Sequence, residues 1–326
     1  MSLYNVTGQN KISNILSTSL KYGRVSHAYI FAGHKGIGKL RMALEFAKAL
    51  NCLESNDDAC DNCQNCKRIE HFNHQDVILI KPDGNSIKIE QIRDLQKDFN
   101  YKAIGSKYKV FIIENAELMT NQAANSLLKF LEEPGSPSVA ILLAESYYQL
   151  LPTIKSRCQT IYFSTIDPYN FVNILKDEGY KEGDILLASN LTQDIEEIRK
   201  LLQLEEFAQM RNIMIQWNED LRNNNYQALF SINGNIMKND YIKEHLSQFI
   251  DLLIIWYRDI LNVKLNRKYL IIFKGYEEIL LKQALYETEI SIVNKIESFL
   301  LTRKKISSYV NPQLALEEMV LSLWEG

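Results

Sequence analysis

Residues 33–42 read GHKGIGKLRM, and their spacing is that of a loop that cradles phosphate. Gly33, four residues, then Gly38 and Lys39 follow G-x-x-x-x-G-K-[ST] as far as Leu40, where the pattern asks for a hydroxyl. In such a loop the backbone N–H groups, the helix N-terminus and the lysine hold phosphate, so Gly33, Gly36, Gly38 and Lys39 are the candidate nucleotide-binding residues. The missing hydroxyl is a ligand of the nucleotide's Mg²⁺, a task leucine cannot perform. The usual partner of the loop is an acidic pair at the end of a neighbouring buried strand, where one carboxylate holds Mg²⁺ and the next polarises the attacking water. Here VFIIENAELMT offers Glu114 and then Asn115. Glu114, one methylene longer than aspartate, reaches a metal awkwardly, and Asn115 cannot act as a general base. Three departures at the three metal and water positions describe a site built like an ATPase that has lost its chemistry.

A second group is Cys52, Cys60, Cys63 and Cys66, four of the chain's five cysteines. Tetrahedral Zn²⁺ takes four soft ligands at about 2.3 Å, and C-x2-C steps deliver them from tight turns. Compact C-x2-C-x2-C runs also hold iron–sulfur clusters, although no other residue pattern here suggests redox work. The surrounding segment is polar and loop-like, which argues against four free buried thiols. A full set of thiolates leaves no open coordination position, so the role is structural. His71 and His74 lie nearby and are read as non-ligands, because four sulfurs suffice.

A third candidate is Arg157, in Ser156-Arg157-Cys158 just ahead of the run TIYFS. Taken alone, an arginine there is a surface ion-pair partner. Cys158, far from the other four, reads as a buried small hydrophobe.

These residues sit among recognisable elements. AYIFAG (28–33), DVILIKP (76–82), KVFIIEN (109–115), VAILLAE (139–145) and TIYFS (160–164) are near-continuously apolar, the pattern of parallel strands covered on both faces. Helical patterns lie between them: GKLRMALEFAKAL, IEQIRDLQKDFNY with Ile89, Ile92, Leu95 and Phe99 on one stripe, and NQAANSLLKFLEE closed by Pro134 and Gly135. Such alternation predicts a three-layer α/β domain. After residue 167 the strand signal stops. Short helices are expected to about 205, then a helical region with polar linkers such as RNNN (222–225). Asn311 before Pro312 predicts the cap and start of a last helix.

A chain of 326 residues exceeds one ordinary core, so two or three domains are expected. With 46% hydrophobic and 24% charged residues the composition is that of a soluble globular protein. A net charge of −3 provides no strong overall field toward nucleic acid or acidic lipid. The first residues, MSLYNVTGQNKISN, lack a signal pattern, and FIDLLIIWYRDIL is interrupted by Asp251, Arg258 and Asp259, so a cytoplasmic protein without a membrane segment is expected.

Taken together, HAYIFAGHKGIGK (27–39), the four-cysteine insertion, KVFIIENAELMTNQAANSLLKFLEEP (109–134) and LPTIKSRCQ (151–159) make the chain resemble the AAA+ clamp-loader family of the bacterial DNA polymerase III holoenzyme. NPQLALEEM (311–319) is similar to the family's last collar helix. The resemblance implies an AAA+ P-loop domain over residues 1–165 with a zinc insertion at about 52–66, a small helical lid over 166–207 and an all-α collar over 208–326 that oligomerises. It places Lys39 at the phosphate-binding lysine, the four cysteines at the zinc ligands, and Arg157 at the arginine finger that reaches a neighbouring subunit's ATP site. In other NTPases an arginine supplied in trans is worth roughly 10³–10⁵ in rate. Against the family pattern, Ala144-Glu145 stands where a polar sensor belongs, and the stretch SNLTQDIEEIRK holds no Gly-x-x-Arg.

The expectation is therefore a non-hydrolysing clamp-loader subunit in DNA replication, with structural zinc and weak or no ATP binding. It would be part of a DNA-directed DNA polymerase, a nucleotidyltransferase, without ATPase activity of its own. Its partners would be motor (gamma/tau) and clamp-opening (delta) subunits, and through the complex the sliding clamp and primed DNA. The alternatives are an active gamma/tau-type ATPase that tolerates Leu40, and a zinc-bearing AAA+ adaptor outside replication.

Overall fold

The computed structural model describes residues 3–99, 106–132, 137–223, 225–308 and 310–325. The chain divides into two compact units, Met1–Asp167 and Pro168–Gly326.

The first unit is built on five parallel strands: β1 (Ala28–Ala32), β2 (Val77–Ile80), β3 (Lys109–Ile113), β4 (Ser138–Ala144) and β5 (Gln159–Tyr162). Their order across the sheet is β2-β3-β4-β1-β5. The three inner strands are buried along their whole length, whereas β2 and β5 at the edges are only partly covered. Alternate side chains enter two separate cores, because successive residues of a strand point to opposite faces. Tyr29, Phe31, Ile112 and Ile141 pack with Leu16, Met42, Phe46 and Ile69. Ala28, Ile30, Phe111 and Leu142 pack with Ile92, Leu127, Phe130 and Ile154 on the other side.

The helices of this unit are α1 (Asn10–Lys21), α2 (Lys39–Leu50), α3 (Gln64–Glu70), α4 (Ile89–Phe99), α5 (Asn121–Glu132) and the single turn α6 (Pro152–Lys155). The predicted strands and α2, α4 and α5 are all present. Besides the single turn α6, two helices were not expected. α1 is rich in Ser, Thr and Asn, which are weak helix formers, and is held by burying Ile12 and Leu16. α3 lies inside the cysteine segment that reads as loop. Pro134 and Gly135, read as the stop of α5, fall outside the described residues.

The second unit is helical among its described residues: α7 (Pro168–Leu175), α8 (Glu182–Leu191), α9 (Ile195–Gln203), α10 (Glu205–Asn223), α11 (Asn225–Ser231), α12 (Asp240–Glu244), α13 (Leu246–Lys264), α14 (Glu277–Tyr286), α15 (Glu289–Ser307) and α16 (Pro312–Glu325). Trp217, Phe249, Trp256, Tyr257 and Phe299 are buried at its centre. Asn311 caps α16 as expected, its Oδ1 accepting from the N–H groups of Gln313 and Leu314. Arg222, Asn223 and Asn225 of the expected RNNN linker belong to helices; residue 224 is not described. No described helix is long and apolar enough to cross a membrane.

Candidate functional site

Strand β1 lies between β4 and β5, where the strand order reverses, and open parallel sheets bind ligands beyond the carboxyl ends of the strands at such a point. The Gly33–Gly38 loop occupies this position. Gly33 N–H donates to Ala144 O at 3.0 Å, tying the start of the loop to β4. Its φ is +154°, and a Cβ there would lie 2.4 Å from Ile37 Cδ1, so only glycine fits. Gly38 caps α2 in the left-handed region (φ 86°), and a Cβ would come within 2.8 Å of Val6 Cγ1. The buried side chain of Gln9 braces the loop, donating to Ile37 O at 3.2 Å and Ser164 O at 2.9 Å.

The chemistry of the loop is turned inward. Lys39 is 8% exposed. Its ammonium donates to the backbone oxygens of Gly33, at 2.5 Å, and of His34. Burial lowers its pKa, opposed by the carboxylates of Glu145, Glu117 and Glu114. Leu40, at the hydroxyl position, packs against the apolar cluster behind the loop. Glu114 is partly exposed, with Lys81 Nζ 3.9 Å from its Oε2. Asn115 has φ 51° and ψ 54° and leads into a 3₁₀ turn, Ala116–Leu118. Asparagine tolerates that left-handed conformation better than most residues, so its presence has a local reason besides the loss of a base. Glu117 is a residue that sequence reasoning did not single out. Its Oε1 accepts from Glu145 N–H at 2.9 Å, joining the β3 and β4 ends around Lys39. The negative charge of Glu145, Glu117 and Glu114 favours the Lys39 ammonium against the cost of burying it.

The four cysteines come together as expected. The Sγ atoms of Cys52, Cys60, Cys63 and Cys66 all lie within 4.8 Å of one another and could hold a metal ion. Cys52, Cys63 and Cys66 are buried, and Cys60 is partly exposed. Cys63 N–H donates to Cys60 Sγ at 3.2 Å. Cys66 N–H donates to Cys63 Sγ at 3.5 Å, which makes Cys63 the N-cap of α3. The segment is thus a tight turn followed by a helix. Burial raises the Cys66 thiol. Burial also works to raise Cys63, but backbone N–H groups of Leu53 and Cys66 and the neighbouring thiols outweigh it and bring it to about 7. Thiolate is the form that ligates metal. His71 is exposed, and His74 Nδ1 accepts from Asp76 N–H at 3.1 Å, so neither histidine joins the group.

Arg157 lies between α6 and β5. Its Nε donates to Glu132 Oε1 at 3.0 Å, Nη2 lies 2.6 Å from the same oxygen, and Nη1 donates to Thr153 O at 3.1 Å and Ser156 Oγ at 3.2 Å. The side chains of Arg157 and Glu132 are 35% and 50% exposed. Cys158 is partly buried, packs against the α4–α5 side of the sheet, and its thiol is pushed up to about 12 by burial.

Comparison with known proteins adds a family to this geometry. The profile described as "DNA polymerase III, delta subunit" matches residues 8–167. DNA polymerase III subunit delta′ of Bacillus subtilis is 38% identical over 318 residues, spanning 98% of this chain and 97% of that protein. The chain belongs to the delta-prime family of DNA polymerase III subunits. DNA polymerase III subunit tau of the same organism is 37% identical over 163 residues, which covers 50% of this chain and 29% of tau. Among solved structures, a DNA polymerase III gamma-subunit-related protein of Thermotoga maritima is similar at 22% identity with a TM-score of 0.48, covering 95% of this chain and 98% of that one. Delta-prime membership fits the expected clamp-loader subunit and displaces both the gamma/tau-type ATPase and the adaptor outside replication.

Proposed function

We propose that this chain is a non-hydrolysing clamp-loader subunit that completes a neighbouring motor subunit's ATP site with Arg157 and helps place a sliding clamp on primed DNA. The observation that carries the proposal is an asymmetry within one unit. The phosphate loop is self-satisfied and faced by carboxylates, whereas Arg157 stays at the surface in an ion pair with Glu132. Exposed pairs of that kind are worth only about 0–1 kcal/mol, so the guanidinium is free to exchange Glu132 for a phosphate. Charge spreads over the γ-phosphate oxygens in the transition state, and a guanidinium fork binds two of them at once.

The proposed domain division is a P-loop domain over residues 1–165, a lid over 166–207 and a collar over 208–326. Supporting a collar that binds other clamp-loader subunits, Ile290, Val293, Leu300 and Leu301 of α15 are exposed at near-heptad spacing, with Leu285 and Tyr286 of α14 also exposed. The metal proposed for the four thiols is zinc, the ion that a closed tetrahedral sulfur set suits. It would hold the segment's fold and take no part in catalysis. Nucleotide binding by this chain is weak or absent, and the setting is the cytoplasm.

The decisive experiment reconstitutes the clamp loader with Arg157→Ala. The variant should fold, hold zinc and assemble, and clamp-dependent ATP turnover should fall at one site. Arg157→Lys should restore only part, because lysine supplies the charge without the fork. Wild-type turnover and loading by an assembled Arg157→Ala complex would overturn the reading.

A further inference from the structure

Helix α2 carries Arg41, Glu45 and Lys48 on one stripe, at i, i+4 and i+7. The Glu45 side chain is fully buried and that of Lys48 is 3% exposed. The Lys48 ammonium lies 2.8 Å from Glu45 Oε2, 2.8 Å from Asp61 Oδ1 and 2.7 Å from Glu70 Oε2. The ammonium donates hydrogen bonds to Asp61 and Glu70, and the Glu45 carboxylate stands at ion-pair distance from it. Arg41 closes the network, 2.6 Å from Glu45 Oε1 and 2.5 Å from Glu70 Oε1. Burial disfavours the charge on Lys48, but its bonds to Asp61, Glu45 and Glu70 outweigh that and raise its pKa.

The three carboxylates come from different places. Glu45 belongs to α2 itself. Asp61 follows Cys60 directly and stands two residues before Cys63, in a left-handed turn at φ 60°. Glu70 ends α3, one helical turn beyond Cys66. One buried cation therefore draws the Cys60–Cys63 turn and the Cys66 helix onto the helix that begins at the phosphate loop. Nothing in the chemistry of four thiols requires this cation.

We infer that Lys48 is the residue that positions the four-cysteine module on α2, and that the module's hold on its metal depends on it. The inference rests on the reading of the module as a zinc site. Partners outside the ligand set orient ligands, and their loss typically costs about 10–100-fold in metal affinity.

The test follows transfer of zinc from the full-length, zinc-loaded chain to a chromophoric chelator, well below the unfolding temperature. Lys48→Met, which keeps the stem and removes the charge, should release zinc roughly 10–100-fold faster. Lys48→Arg should lie nearer wild type. Asp61→Asn and Glu70→Gln should each accelerate release by a smaller factor. Phe130→Leu, in the core on the opposite side of the sheet, should lower stability and leave release unchanged. A folded Lys48→Met that releases at the wild-type rate overturns the inference, and so does a Phe130→Leu that releases as fast as Lys48→Met. Should Lys48→Met fail to fold, wild-type release by both carboxylate variants overturns it. A wild-type chain that takes up no zinc overturns the zinc reading instead. The positioning role is then judged by limited proteolysis of residues 53–62, where protection in Lys48→Met equal to wild type overturns it.

Discussion

The phosphate loop and the cysteine module stand at opposite ends of α2, and the sequence pattern of a binding site is broken in the first and whole in the second. The loop keeps its backbone: the β1–α2 junction, the left-handed glycines and the brace from Gln9 are all in place. Leu40, only partly buried, packs against the apolar cluster, Asn115 sits in a left-handed turn, and Lys39 is bonded to the loop's own carbonyls. The module keeps its chemistry entire, four sulfurs within 4.8 Å of one another. The turn has to join β1 to α2 whatever it binds, so its backbone geometry has a structural use of its own. A metal module has no such second use, so its ligands stay with its backbone.

The largest effect is expected where chemistry and structure coincide. Cys66→Ser should bring metal content from one per chain to near zero and lower the unfolding temperature of the first unit sharply. Structural zinc sites of this composition contribute on the order of 10–16 kcal/mol of apparent binding energy. Cys158→Ser should leave metal content unchanged. Metal analysis and thermal unfolding check both, and a Cys66→Ser protein with full metal content would break the comparison on the module's side.

Next come two substitutions in the loop. Gly33→Ala should cost about 1–3 kcal/mol, since its Cβ would meet Ile37 at 2.4 Å and the backbone φ is unfavourable for alanine. Denaturant unfolding measures this. Loss of stability with no change in nucleotide binding is the result expected of a scaffold. Leu40→Thr restores the hydroxyl and removes apolar packing, so a smaller loss of about 1 kcal/mol is expected. Its ATP turnover should stay at background, because Asn115 still supplies no base. Turnover restored by that one change would show a site nearer to function than the proposal allows.

Much of this contrast was legible in the sequence. Buried parallel strands announce themselves as unbroken apolar runs, and the C-x2-C steps announce a metal group whatever the fold. Leu40, Glu114 and Asn115 depart from the phosphate-loop pattern by residue type alone. The surroundings of Lys39 were not legible, because Glu117 and Glu145 follow two different strands, and only the pairing of β3 with β4 brings them together. The Lys48 network was hidden for the same reason: a lysine on an amphipathic helix reads as solvated until the carboxylates packed on it are known. α1 and α3 escaped because weak intrinsic propensity is overridden by packing and by a thiol cap.

The smallest effect is expected at the residue whose type is the most suggestive. Lys39→Met keeps the buried stem and removes an ammonium that contacts only Gly33 O and His34 O among the described hydrogen bonds. Losing these bonds is destabilising, while relief from desolvating the charge is stabilising, so the net change should be within about 1 kcal/mol. The pH dependence gives a sharper signature. The folded pKa of Lys39 lies below its ordinary value because of burial, so the folded chain gives up this proton more readily than the unfolded one. Stability attributable to Lys39 therefore rises as pH climbs through the lowered pKa toward the ordinary lysine range, and it is lowest when both states are protonated. Lys39→Met should remove that rise and leave the neutral-pH stability nearly unchanged. Clamp loading by the reconstituted complex should also be unchanged. A folded Lys39→Met protein that enters the complex but cannot support loading would mean that phosphate at this loop matters after all, and the loop would then be a working site rather than a scaffold.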